Sequence, residues 1–76
     1  MMSKRQDKRQ EATAIAETAL TVVDTGGYDD TYEYVGATTI VVGRGNHGYW
    51  VADNGEETNG LTRTQAKQII IENLSA

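Results

Sequence analysis

The stretch TYEYVGATTIVVGRGNHGYWVA, residues 31 to 52, decides how this chain folds. Its β-branched and aromatic residues come in short runs, Thr31 to Val35, Thr38 to Val42 and Tyr49 to Ala52, with glycine punctuating the gaps. Such side chains pack well on a pleated surface and glycine supplies turn conformations, so the stretch reads as three strands joined by hairpins. Gly36 and Ala37 suit a two-residue type II′ turn, which wants glycine first; the connection from Gly43 to Gly48 is longer. A turn at Gly36 and Ala37 pairs Tyr34 with Thr39 and Tyr32 with Val41. A four-residue loop from Arg44 to His47 pairs Val41 with Trp50 and Val42 with Tyr49.

Residues paired across strands share a face, and neighbours along a strand point to opposite faces. In that register one face collects Val35, Ile40, Val42, Tyr49 and Val51. The other collects Tyr32, Tyr34, Thr39, Val41, Trp50 and Ala52.

On either side of the sheet the period changes to that of a helix. Residues 3 to 24 contain no proline or glycine, and Ala12, Ile15, Ala16, Ala19, Leu20 and Val23 draw one apolar stripe at helical spacing. Ser3 with Gln6 makes a capping box, and Gly26 and Gly27 supply the stop. The polar stretch from Asp53 to Gly60, with Asn54-Gly55 and Asn59-Gly60, reads as turn and loop. Thr62 with Gln65 then gives a second capping box, stapled by Leu61 and Ala66, and Ala66, Ile69, Ile70 and Leu74 form the stripe of a closing helix. The expected fold is a single α+β domain over residues 1–76: a small αβββα domain whose three-stranded antiparallel sheet carries both helices on one face. Residues 1–10 are its frayed or extended helical start.

Both helices must bury their stripes. Leaving the valine and isoleucine face wet would cost about 1.5–3 kcal/mol per large aliphatic side chain, so that face is assigned to the core. Tyrosine and tryptophan carry polar handles and tolerate partial exposure. The face of Tyr32, Tyr34, Val41 and Trp50 is then the candidate protein-binding surface, rimmed by Asp29, Asp30, Asp53, Glu56 and Glu57.

With 76 residues and no cysteine, the chain is stabilised by apolar packing alone and buries only roughly 60% of its unfolded surface. The single histidine, His47, cannot assemble a zinc site by itself, and no other metal or cofactor is expected. No apolar run is long enough for a membrane span, and the charged start is unlike a secretory signal, so the expected place of action is the cytoplasm, that of a host cell if the source is viral. The net charge of −4 is unevenly spread: Lys4, Arg5, Lys8 and Arg9 are opposed by Asp7 alone, whereas the remaining three basic residues face ten acidic ones. A body of that sign repels phosphate backbones.

Residues Gly43 to Gly48 spell G-x-G-x-x-G, but nucleotide binding by that motif needs a helix next, and Tyr49-Trp50-Val51 reads as a strand. The glycines are read as a hairpin loop with Arg44 and His47 exposed at its tip. His47 has no nucleophile placed beside it by any motif, and Asp29-Asp30 and Glu56-Glu57 lack the alternating ligand spacing of a calcium loop. No catalytic residue is assigned, and the chain is expected not to be an enzyme.

Gly60-Leu61-Thr62-Arg63-Thr64-Gln65-Ala66-Lys67 resembles the start of the last helix in double-stranded RNA-binding domains, a family that shares the α-β-β-β-α order. The resemblance implies that Arg63 and Lys67 reach phosphates across the major groove. A nucleic-acid-binding reading then uses Lys4, Arg5, Lys8, Arg9, Arg63 and Lys67. Thr64 replaces a basic position of the family, and its loop between the first two strands has no room here.

The reading favoured by charge and composition is a non-enzymatic protein-binding module. Its concrete form is a small acidic inhibitor or adaptor of a larger nucleic-acid-handling complex, with a basic groove as its target. In size and charge alone it is similar to the inhibitors of phage and mobile elements, anti-CRISPR proteins among them. A self-associating structural or regulatory module, with the aromatic face as a homodimer interface, is the remaining alternative.

Overall fold

A computed structural model describes residues 4–26 and 31–75. The order is α1 (Lys4–Gly26), β1 (Tyr32–Val35), β2 (Thr39–Gly45), β3 (Gly48–Asp53), β4 (Glu56–Leu61) and α2 (Arg63–Ser75). The fold is α+β, as expected, but the sheet has four strands in the order β1-β2-β3-β4, each antiparallel to its neighbour. Both helices lie on one side of it: α1 packs on α2, β1 and β2, and α2 packs on β3 and β4.

The fourth strand corrects the loop expected from Asp53 to Gly60. Asn54 and Gly55 take φ of 50° and 90°, the two left-handed positions of a two-residue hairpin turn, and fold Glu56 back against Asp53. The Asn54 side chain closes the neighbouring pair, its Oδ1 accepting from the Thr39 N–H at 3.0 Å. Further along, Tyr49 stands opposite Leu61 and Val51 opposite Thr58, so Asn59 and Gly60 together oppose Trp50 in a β-bulge. Gly60 takes φ of 68° there, which a side chain would resist. The strand hides in the sequence because its residues are exposed or half-buried throughout and show no apolar alternation.

The first hairpin corrects the register. Gly36, Ala37 and Thr38 form a three-residue connection, so Val35 pairs with Thr39, Tyr34 with Ile40 and Tyr32 with Val42. One added residue inverts the whole of β1. Tyr32 and Tyr34 therefore turn inward and pack against the core, while Val35, expected inside, is 70% exposed. The second hairpin is tighter than expected: Gly45 pairs with Gly48 around Asn46 and His47, and Gly43 pairs with Trp50, Arg44 with Tyr49, Val41 with Ala52 and Val42 with Val51. That slip of two residues leaves the faces of β2 and β3 as expected.

The core sits between the helices and the inner sheet face. Ala12, Ala16, Ala19, Leu20 and Val23 of α1 meet Ala66, Ile70 and Ile71 of α2 and Ile40, Val42 and Val51 of the sheet. Three alanines along one helical stripe let α1 approach closely. In α2 the buried stripe includes Ile71, absent from the expected set, while Ile69 and Leu74 lie half-buried at its margin. The helix begins as its sequence implies: Gln65 N–H donates to Thr62 Oγ1 at 3.1 Å, and the Thr62 N–H donates to Gln65 Oε1 at 2.9 Å. Leu61 packs on the core beside buried Ala66, in keeping with the staple. Ser3 and Gly27, expected to cap and to stop α1, lie outside the described residues.

Candidate functional site

With both helices on one side, no described element packs on the other face of the sheet. The pairing builds that face row by row. Glu33 of β1 stands opposite Val41 of β2, Val41 opposite Ala52 of β3, and Ala52 opposite Glu57 of β4. One row thus crosses all four strands with a carboxylate at each end and two apolar side chains between. Three strand spacings put the two glutamates about 14 Å apart. Both are exposed, whereas Val41 and Ala52 are half-buried.

Trp50 stands in the adjacent row opposite Gly43. A Cβ placed on Gly43 would lie 2.3 Å from Cζ2 of the indole, so the ring occupies the space that a side chain at position 43 would fill. Gly43 is needed for this close approach, and its backbone is buried beneath the ring. Trp50 is held half-buried on the open face with no hydrogen-bond partner for its indole N–H among the described residues. At one end it lines a shallow hollow with Asn46, His47, Asn59 and Gly60.

Of the residues singled out from sequence, Val41, Trp50 and Glu57 come together on the open face. Tyr32 and Tyr34 do not, because β1 is inverted. Asp53 lies on the helix-covered side, where its Oδ1 accepts a hydrogen bond from the Thr38 hydroxyl, and Glu56, paired with Asp53, shares that side. Asp29 and Asp30 lie outside the described residues. Glu33 and Val35 were not among the candidates; their signal was the alternation of β1, read one residue out of step.

The basic candidates are distributed differently. Lys4, Arg5, Lys8 and Arg9 all belong to the first turns of α1, and the Lys8 and Arg9 side chains are exposed. Arg63 and Lys67 on α2 are engaged with α1: Arg63 Nε donates to Asp24 Oδ2 at 2.8 Å, Arg63 also lies 3.9 Å from Glu17, and Lys67 donates to Glu17. Arg44, expected exposed at a loop tip, is half-buried in β2 with its guanidinium 3.9 Å from Asp24, and Tyr49 donates its hydroxyl to the same carboxylate. Asp24 thus joins α1, β2, β3 and α2.

That hydrogen bond from Tyr49, reinforced by Arg63, holds the Asp24 carboxyl below the ordinary aspartate value, and Asp24 in turn raises the Tyr49 phenol above its own. Glu17 is lowered in the same way, chiefly by its hydrogen bond from Lys67. These shifts belong to a fastening between helices and sheet.

His47 is exposed at the hairpin tip. The glycines of the G-x-G-x-x-G stretch serve the hairpin: Gly43 lies under Trp50, Gly45 pairs with Gly48, and Gly48 takes φ of 112° close against the Leu61 carbonyl. Among the described residues no group of three or more His, Cys, Asp or Glu is placed to hold a metal, and no helix is long and apolar enough to cross a membrane. Compared with known proteins, the chain matches no family, no curated protein and no solved structure.

Proposed function

We propose that this chain is a non-enzymatic protein-binding module that uses the open face of its sheet. The observation that carries the reading is the row Glu33, Val41, Ala52, Glu57, with Trp50 beside it. An apolar centre with an aromatic anchor and a charged margin is how protein interfaces are built, and tryptophan is among the residues that most often dominate their energy. Two glutamates whose backbones lie about 14 Å apart on a chain of net charge −4 favour a partner surface with cationic side chains.

A surface of that kind is what a nucleic-acid-handling protein presents to phosphates. The module is then an acidic inhibitor or adaptor whose carboxylates take positions that phosphates otherwise hold. The engagement of Arg63 and Lys67 by Glu17 and Asp24 favours this reading over nucleic-acid binding, because both cations already have carboxylate partners within the fold.

The test is quantitative affinity capture from cell lysate with wild type, Trp50→Ala and the double variant Glu33→Lys/Glu57→Lys, each first checked for a folded circular dichroism spectrum. The same basic partner should be retained by wild type, weakened by high salt, and lost with either variant. Retention by both folded variants would refute the reading.

A further inference from the structure

The sheet has two outer edges, and they are built differently. Outer strand β4 carries Glu56 and Glu57 in succession, a bulge at Asn59 and Gly60, and a left-handed glycine, the devices that blunt an edge against further pairing. Strand β1, Tyr32-Glu33-Tyr34-Val35, carries a single carboxylate, Glu33, and has no glycine, proline or lysine and no bulge.

Its free main-chain groups can be assigned. The Asn54 N–H donates to the Thr39 carbonyl at 2.8 Å, so the main-chain groups of Thr39 face β3. In an antiparallel ladder these directions alternate, so Ile40 and Val42 turn theirs to β1, opposite Tyr34 and Tyr32. The N–H and C=O groups of Glu33 and Val35 consequently point away from the sheet, with no partner strand among the described residues. Their side chains lie on the open face, continuous with Val41 and Trp50.

We propose that β1 is a docking edge at which one extended segment of the partner protein adds as a fifth antiparallel strand, with a lysine or arginine opposite Glu33. This rests on the protein-binding reading and specifies how the partner is held. Charge decides between a foreign strand and a second copy of this chain. A second copy brings the same net charge of −4, and self-pairing centred on Glu33 sets that residue directly against its own counterpart, where like charges destabilise a sheet. A cationic residue there gains instead, while a β-branched side chain opposite covers Val35, which is 70% exposed. Main-chain bonds hold the segment, and the alternate side chains reaching Glu33 and Val35 select it.

The experiment is a two-dimensional amide NMR titration of the full chain with two acetylated, amidated peptides, TVKVT and TVEVT, at up to millimolar concentration. With TVKVT the largest shifts are expected at the Glu33 and Val35 amides, at least tenfold weaker binding is expected with TVEVT, and Glu33→Lys reverses the preference. Val35→Pro removes one outward N–H but keeps Glu33 and the inward ladder, so it should abolish the shifts; if it loses its dispersed spectrum, the Glu33→Lys reversal decides. Shifts confined to Val41, Trp50 and Ala52 would overturn the edge proposal while leaving the open-face reading standing. Shifts nowhere would overturn it as well, and the reading then stands or falls on the lysate capture. Movement of the Glu33 and Val35 resonances on diluting the protein alone would also overturn it, in favour of a second copy.

Discussion

The indole of Trp50 fills the space above Gly43 so fully that a Cβ at position 43 would come within 2.3 Å of it. Gly43→Ala should therefore lift the ring from the sheet and cost about 1–3 kcal/mol by urea denaturation, with a red shift of tryptophan emission. Gly45, two residues along the same strand, has nothing within 4 Å of its own added Cβ and no left-handed backbone. Gly45→Ala should change stability by less than about 1 kcal/mol. Equal losses at the two positions would mean that Trp50 does not rest on Gly43.

The two sheet faces should respond unequally to truncation. Ile40 is fully buried between sheet and helices, so Ile40→Ala should cost about 2–5 kcal/mol, enough to leave a domain of this size close to unfolding. Trp50→Ala, on the open face, should leave a cooperative unfolding transition and cost clearly less than Ile40→Ala. The reverse order would place the tryptophan in the core.

These contrasts also show what the sequence made legible. The helices were readable because their stripes and caps are local: Thr62 and Gln65 lie three residues apart and bond as expected. The faces of β2 and β3 were readable because Ile40, Val42 and Val51 share one face in both the expected and the observed register, which differ by two residues. Strand β1 was not, since Tyr32 and Tyr34 can face either way and only the length of the turn at Gly36, Ala37 and Thr38 decides. Strand β4 carries no apolar alternation; its only local signal was Asn54-Gly55, a pair that favours a hairpin and so implies a returning strand. Most of the candidate site follows: Val41, Trp50, Ala52 and Glu57 were in place, while Glu33 was hidden by the one-residue slip in β1.

Acid should loosen the fastening at Asp24. Its folded-state pKa lies below the ordinary value, so the stability it contributes is present above about pH 4 and is lost as pH falls through the folded value. Glu17 acts in the same sense. Thermal midpoints followed from pH 7 to pH 2 should fall at the acid end, and Asp24→Asn should flatten part of that fall while lowering stability at pH 7 by about 1 kcal/mol. An unchanged acid limb in Asp24→Asn would show that the contacts to Tyr49 and Arg63 contribute nothing.

Arg63 and Lys67 should behave as structural cations. Arg63→Ala and Lys67→Ala should each reduce stability by at most about 1 kcal/mol, and the wild-type chain at micromolar concentration should give no mobility shift with duplex RNA or duplex DNA at low salt. A shift that either substitution abolished would restore the nucleic-acid reading.

The open sheet face as the partner-binding surface is tested most directly by photo-crosslinking with p-benzoylphenylalanine placed, in separate variants, at Val35 on the open face and at exposed Thr18 on α1. One heterologous adduct is expected from position 35, suppressed by high salt and by Trp50→Ala, and none from position 18. The same adduct from position 18, with none from position 35, would contradict it.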